Sequence, residues 1–280
     1  MKNKKSVFFL FGMIILAVFA SCTKENEEIQ DTEYNPGKKI QKVYKTYSTN
    51  DEKQLIEVWH WNQNRLESID YYSQQPKGDE NPSVEKFTYE DDRVVRIDID
   101  NANNPNYTHY TLFNYENNVL ESVNEYEIRT YVDNFWGIQI TDTTKSTYIL
   151  SYQDEKLSQV VYDRSHKKAQ PDDKISPEVF HLIWEGDNLI EINDGKSPMY
   201  LFEYDNNTNP MYGRLNVSYF SVLMGNWTDC YNPFISKNNC TQVMEDMHKD
   251  GTYSIGYLYD EDGYPTKQMR GTQAFYYEYE

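Results

Sequence analysis

Glycine is scarce in this chain: 12 residues in 280, alongside 10 prolines and three cysteines. Tight turns therefore have to be closed largely by Asn and Asp, which tolerate left-handed backbone that glycine would otherwise supply. Chemistry-bearing patterns are missing as well. His60, His109, His166, His181 and His248 show no H-x-x-x-H spacing, and no cysteine neighbours one in a zinc pattern. There is no G-x-S-x-G, no Walker loop and no G-x-G-x-x-G. The reading is accordingly of no metal, no cofactor and no catalytic residue. The apolar run Val7–Ala20 covers 14 residues, fewer than the roughly 20 that a membrane-spanning helix needs.

That run follows Met1-Lys-Asn-Lys-Lys and precedes Ser21-Cys22, the order of a secretory signal. The cysteine after Phe19-Ala20-Ser21 predicts a lipoprotein signal over 1–21, cleaved before Cys22 and acylated there, with residues 22–39 as a flexible acidic tether. Without Lys2, Lys4 and Lys5, the rest of the chain holds 24 basic and 45 acidic residues, a net −21. Such a charge argues against nucleic acid and anionic headgroups as partners. Cys22-Thr-Lys24-Glu25-Asn-Glu27-Glu28 resembles the acidic sorting signal of Bacteroidetes surface lipoproteins, which implies an outer-membrane, cell-surface location. With Cys22 taken by lipid, Cys230 and Cys240 remain as an even pair, for which a disulfide is expected outside the cytoplasm.

The body of the chain is built on a repeated phrase, clearest at Phe113 to Val123. Counting from Tyr115, an apolar residue stands at minus two, another at plus five and a β-branched one at plus eight. The frame recurs at Trp59, Trp61, Leu66 and Ile69; at Phe87, Tyr89, Val94 and Ile97; at Leu150, Tyr152, Leu157 and Val160; and at Leu182, Trp184, Leu189 and Ile192. Each copy predicts a β-hairpin closed by a four-residue loop on a type I turn. The odd step from plus five to plus eight requires a plugging side chain or a bulge. The anchors are spaced by 28, 26, 37 and 32 residues, so the longer intervals hold insertions, Arg129–Lys145 and Arg164–Ser176. If tight turns line one end of a meander, both insertions emerge at the other.

From about 211 to 250 the pattern becomes irregular, and this segment is expected to cap the exposed edge of the repeat sheet. Tyr257-x-Tyr259-Asp260-x-x-Gly263 looks like the tyrosine-aspartate repeat of RHS-type extracellular proteins. Tyr204-Asp205…Asn209-Pro210, Ser236-Lys237-Asn238-Asn239 and Tyr259-Asp260-Glu261-Asp262-Gly263-Tyr264-Pro265 together resemble a family of uncharacterised Bacteroidetes lipoproteins. The resemblance spans roughly 50–280 and implies an antiparallel hairpin-repeat fold with no established activity. The fold expected over 40–280 is thus all-β, an elongated, YD-repeat-like hairpin meander with an irregular C-terminal cap; a propeller or sandwich is the alternative.

Twenty-six tyrosines suit a thin sheet whose rings are buried and whose hydroxyls stay wet. Trp59, Trp61 and Trp184 occupy repeat positions and read as packing. Trp136 and Trp227 have no repeat slot and are the candidate ligand contacts. The leading expectation is a non-enzymatic surface module that binds a glycan or a protein partner. A structural component of an envelope complex comes second, and a glycan hydrolase third.

Overall fold

The computed structural model describes residues 37–48, 52–72, 82–101, 104–133, 135–166, 176–223, 234–245 and 251–280, all within one compact unit, Asp31–Glu280. After β1 (Ile40–Thr46), the five copies of the phrase form five hairpins. These are β2 (Gln54–Asn62) with β3 (Arg65–Tyr71), β4 (Ser83–Glu90) with β5 (Arg93–Asn101), and β6 (Tyr107–Glu116) with β7 (Val119–Val132). Next come β8 (Gln139–Gln153) with β9 (Lys156–His166), and β10 (Glu178–Glu185) with β11 (Asn188–Asn193). The remainder is β12 (Pro198–Thr208), a short helix α1 (Tyr219–Leu223), β13 (Asn238–Glu245), β14 (Thr252–Ser254), β15 (Gly256–Tyr259), β16 (Pro265–Arg270) and β17 (Gln273–Tyr279).

The register explains the phrase. Its four positions are two cross-strand pairs, as in Tyr115↔Leu120 and Phe113↔Val123. The same two pairs occur in the other four hairpins. Between them the register shifts in every copy, leaving the residue at plus six unpaired across the ladder. This bulge lets plus five and plus eight face the same side despite their odd spacing. The loops are shorter than the four residues expected. The pairs Asn62↔Arg65 and Glu116↔Val119 leave two-residue turns, because the bulge, not the loop, absorbs the extra residue. Asn117 and Asn118 both take positive φ, 50° and 67°, as a type I′ turn requires. Asp154 and Glu155 do the same at 51° and 64°.

A bulge disrupts the ladder beside it, and a buried carbonyl there needs another donor. The next copy supplies one. Tyr89 donates its hydroxyl to the Leu66 carbonyl (2.8 Å), Tyr115 to Val94 (3.0 Å) and Tyr152 to Leu120 (2.8 Å). The Trp184 indole N–H reaches Leu157 O (2.7 Å), and Tyr204 reaches Leu189 O (2.6 Å). From the second copy on, each anchor aromatic therefore satisfies the plus-five carbonyl one copy upstream, and its ring needs a polar tip; Trp61, in the first copy, donates to Ile40 O of β1 (2.7 Å).

The meander does not stay open or elongated. β1 pairs with both β2 and β17, so the first and last strands are neighbours in one 17-stranded antiparallel sheet. Residues 252–259 complete the circuit: β14 pairs with β13, β15 with β16, and the Ile255 N–H between them donates to Thr241 O (2.8 Å). The result is a nearly closed barrel.

Closure removes the edge that the irregular segment was expected to cap; of its described residues, 211–223 and Phe234 go inside and Asn238–Glu245 joins the wall as β13. Leu215, Val217, Tyr219, Leu223 and Phe234 join one buried cluster with Val94, Phe113, Val123, Tyr148, Val160, Leu182 and Ile192 of the barrel wall. Met211 joins a second with Ile40, Trp59, Ile69 and Phe275. The Tyr219 ring lies 6.3 Å from Phe113 and 5.6 Å from Tyr148, and Phe220 stacks on Tyr162 at 5.0 Å. The lumen is a packed core. The outer wall is polar over β4–β7: Lys86–Asp100 (3.2 Å) and Arg96–Asp98 (2.6 Å) lie on it, with Arg96 4.2 Å from the Tyr110 ring and Tyr110 stacked on Tyr126 at 4.8 Å. Over β8–β10 it carries an apolar row, Ile149 across from Val161 and Val161 across from Val179, with Ile183 beside it.

Candidate functional site

Strand directions sort the connections into two sets. The five two-residue turns, the chain entry at β1 and the turn 260–264 lie at one end, the turn end. The connections after β3, β5, β7, β9, β11 and β13 lie at the other, the loop end. From the loop end one hairpin projects. β7 and β8 run 14 and 15 residues, whereas β6 pairs with β7 only as far as Tyr107↔Arg129 and β9 with β8 only to Thr144↔His166. The pairs Thr130↔Thr141 to Val132↔Gln139 thus extend past both neighbouring strands.

The tip is an ordered apolar point. The Asp133 carboxylate accepts the N–H groups of Phe135 (2.8 Å) and Trp136 (3.0 Å), and Gly137 N–H closes on Asp133 O (2.7 Å). Gly137 has φ 64°, where a Cβ would be strained. Held this way, Phe135 and Trp136 are 82% and 71% exposed, and Val132 and Ile138 58% and 56%. The two rings meet edge to face at 4.8 Å.

Inside the wall is a second assembly of functional groups, made of buried acids. Glu57 accepts the Trp59 indole N–H (2.8 Å). Glu85 accepts Arg214 (2.7 Å), the Tyr71 hydroxyl (2.7 Å) and the Val217 N–H (3.1 Å). Arg214 also donates to the Tyr71 oxygen (2.8 Å) and lies 4.9 Å from the Trp59 ring. Glu125 accepts Tyr148 (2.7 Å) and Ser218 (3.3 Å) and pairs with His109 Nε2 (2.9 Å). The Thr111 hydroxyl donates to Val217 O. Burial, opposed by the Arg214 guanidinium, pushes the Tyr71 hydroxyl well above its ordinary range, and burial beside Glu125 does the same to Tyr148. Both hydroxyls therefore remain donors, and the acids fasten the internal segment to the wall.

Of the residues singled out by sequence, Trp136 stands at the projecting tip, while Cys22, Trp227 and Cys230 lie outside the described residues. Cys240 is buried on β13, its Sγ 3.3 Å from Gln242 O, and burial pushes its thiol up to about 12. Trp59 is in the core, with Trp61 and Trp184 packed against it, and His60 faces outward to Asp70 at 2.9 Å. Phe135, Val132 and Ile138 were not singled out, although all flank Trp136 in a segment with no repeat frame. Nor were Glu57 and Glu85, whose signal was their place: each stands four before its anchor, in the inward column of its strand. Asp205 and Asp260 close turns: Asp205 accepts Asn207 N–H (2.8 Å), and Asp260 accepts Asp262 N–H (3.0 Å) and Tyr264 N–H (2.9 Å).

No family model matches the chain, and no curated relative does. Among solved structures it is similar to a porin-like protein from Bacteroides vulgatus, with TM-score 0.46 and 10% identity over 86% of this chain and 98% of that one. A porin-like protein from Bacteroides uniformis gives TM-score 0.37 and 11% identity with the same coverage.

Proposed function

We propose that this protein is a non-enzymatic, lipid-anchored surface module of the outer membrane that binds a partner through the tip of the β7–β8 hairpin. The observation that carries the reading is the ordered exposure of Phe135 and Trp136 with Val132 and Ile138. A cluster of four exposed apolar side chains at a projecting tip marks a contact surface. The edge-to-face rings form a wedge, which suits an apolar pocket on a partner protein better than a flat platform for a sugar ring. The anchor rests on the signal and Cys22. Ile40 begins β1 at the turn end, so a tether there leaves the hairpin at the far end of the barrel. A pore is not the reading, since the described internal segment packs against the barrel wall and the outward aliphatics form a row on β8–β10, not the band around the circumference of a lipid-facing barrel.

The test is a photo-crosslinking residue at position 135 in the full chain on the surface of the producing bacterium. A discrete adduct at 135, lost on Trp136→Ala and absent with the crosslinker at Glu121, is the expected result. Burying one such ring contributes roughly 1.5–3 kcal/mol, so Trp136→Ala should weaken partner binding by about tenfold or more. Identical adduct patterns from 135 and 121 would refute the hairpin as the contact. Tryptophan fluorescence with a glycan panel decides the sugar version: a saturable change that Trp136→Ala removes would replace the protein partner with a carbohydrate.

A further inference from the structure

We propose that His109, Glu125 and Glu127 hold one first-row divalent cation on the inner wall of the barrel, zinc being the ion to test first. Glu127 stands directly across from His109 in the β6–β7 register, and Glu125 lies two residues before it on the same face of β7. One ligand atom from each, the His109 ring nitrogen and a carboxylate oxygen from each acid, lies within 4.8 Å of the others. Bonds of about 2.0–2.2 Å place zinc ligands roughly 3.4 Å apart. Rotation of Glu127, whose side chain is 27% exposed, closes the difference while His109 and Glu125 stay fixed.

The charge balance points the same way. Glu125 sits 2.9 Å from His109 and already gives this pair a carboxylate. A second carboxylate beside that pair adds a charge, and the cation nearest to it, Arg129, is 65% exposed and 3.5 Å off, a weak partner in water. Two carboxylates with a neutral imidazole carry −2, which a divalent ion balances. Glu125 also has an outer hydrogen-bond partner of the kind that orients metal ligands. Tyr148 donates to the other Glu125 oxygen at 2.7 Å. One nitrogen and two oxygens suit zinc or manganese, whereas calcium takes six to eight oxygens. Ser218 of the internal segment also donates to Glu125 (3.3 Å), so an ion here would clamp wall and filling together. Its role would be structural.

The experiment uses the full chain purified without a histidine tag, stripped with a chelator and dialysed against zinc. One ion retained per chain and a raised Tm are expected. So is a visible cobalt spectrum of a low-symmetry site, undisturbed by excess calcium. His109→Gln and Glu127→Gln should each reduce zinc affinity by about 100-fold or more, beyond the 10–100-fold usual for outer partners. Glu121→Gln, on the outer face of β7, should leave it unchanged. Glu127→Gln keeps the test decisive if His109→Gln fails to fold, since Glu127 lies at the margin of the core. Failure to retain zinc, or retention unchanged in Glu127→Gln, would overturn the proposal and leave the hairpin reading untouched.

Discussion

The two ends of the barrel are made by different means. At the turn end every copy is fastened to the next. Beyond the aromatic handles, Arg65 reaches the Asp91 carbonyl (2.6 Å) and lies 5.5 Å from the Tyr89 ring. Arg93 repeats the pattern one copy on, reaching Asn118 (2.8 Å) and lying 5.3 Å from Tyr115. Lys156 does so again, donating to the Gly186 carbonyl and lying 5.9 Å from Trp184. At the loop end connections vary in length, and one hairpin stands clear of its neighbours. The contrast teaches that the repeat is a device of one end. Two-residue turns with bulges hold the barrel's circumference there, and the other end is released to vary, as functional loops on a rigid scaffold are.

The largest break in that comparison is expected from the filling, which enters from the turn end. Arg214→Met leaves the buried Glu85 without its cation while keeping most of the stem. Breaking a buried pair in this way costs about 3–5 kcal/mol, and at about 2–4 °C per kcal/mol this lowers Tm by roughly 10 °C. Thermal unfolding of the two proteins checks it; a fall of a degree or two would mean that the filling is held by apolar packing alone.

Tyr115→Phe should cost about 1–2 kcal/mol, because it deprives the Val94 carbonyl of its hydroxyl donor while preserving the ring. Tyr152→Phe should match it through Leu120. Denaturant midpoints at unchanged m-value measure both. Equal losses would establish the handles as a repeated unit; an undisturbed midpoint would assign the tyrosines to ring packing only.

A smaller effect depends on pH. Burial alone would raise the Asp260 carboxyl, but Lys38 at 2.8 Å and the Tyr264 and Asp262 N–H groups override it and hold it below the ordinary value. A depressed carboxyl contributes stability that is complete above its unfolded value, about 3.9, and lost as pH falls through the folded one. The stability gap between the natural chain and Asp260→Asn should therefore be constant near neutrality and close below about pH 4. A gap that persisted at low pH would locate the effect of the substitution in the turn geometry and not in the charge.

The part of this fold legible in the sequence was the part that repeats. Trp61 and Leu66, or Tyr115 and Leu120, fix a hairpin because the same residue types meet across the ladder each time, and the odd step to Ile69 or Val123 left a plugging side chain or a bulge, of which the bulge is the one formed. Closure was not legible. Nothing local marks Tyr44 and Tyr276 as partners 232 positions apart, since pairing of β1 with β17 is set by how much each strand contributes to the circumference. Nor was the fate of residues 211–223, where Arg214 reads as one more surface cation until Glu85 and Tyr71 are seen waiting for it. Glu57 and Glu85 were visible as inward acids, but an inward acid has meaning only once its partner from a distant segment is known. Trp136 was found by having no place in the repeat, and Phe135 could have been found by the same reasoning.

The smallest expected effect on stability is at the hairpin tip, and it separates the two ends most sharply. Phe135→Ser with Trp136→Ser removes two rings that touch mainly each other and water. The Asp133 carboxylate binds their backbone N–H groups, not their side chains, so the loop keeps its geometry. Surface changes of this kind fall within about 0.5 kcal/mol, so the double variant should unfold at the temperature of the natural chain while the cell-surface adduct of a crosslinker moved to position 138 disappears. Loss of several degrees would show the rings packing onto the barrel and would return the hairpin to the structural core. Retained stability with lost capture would mean that the apolar point is maintained for what it touches, since folding does not need it.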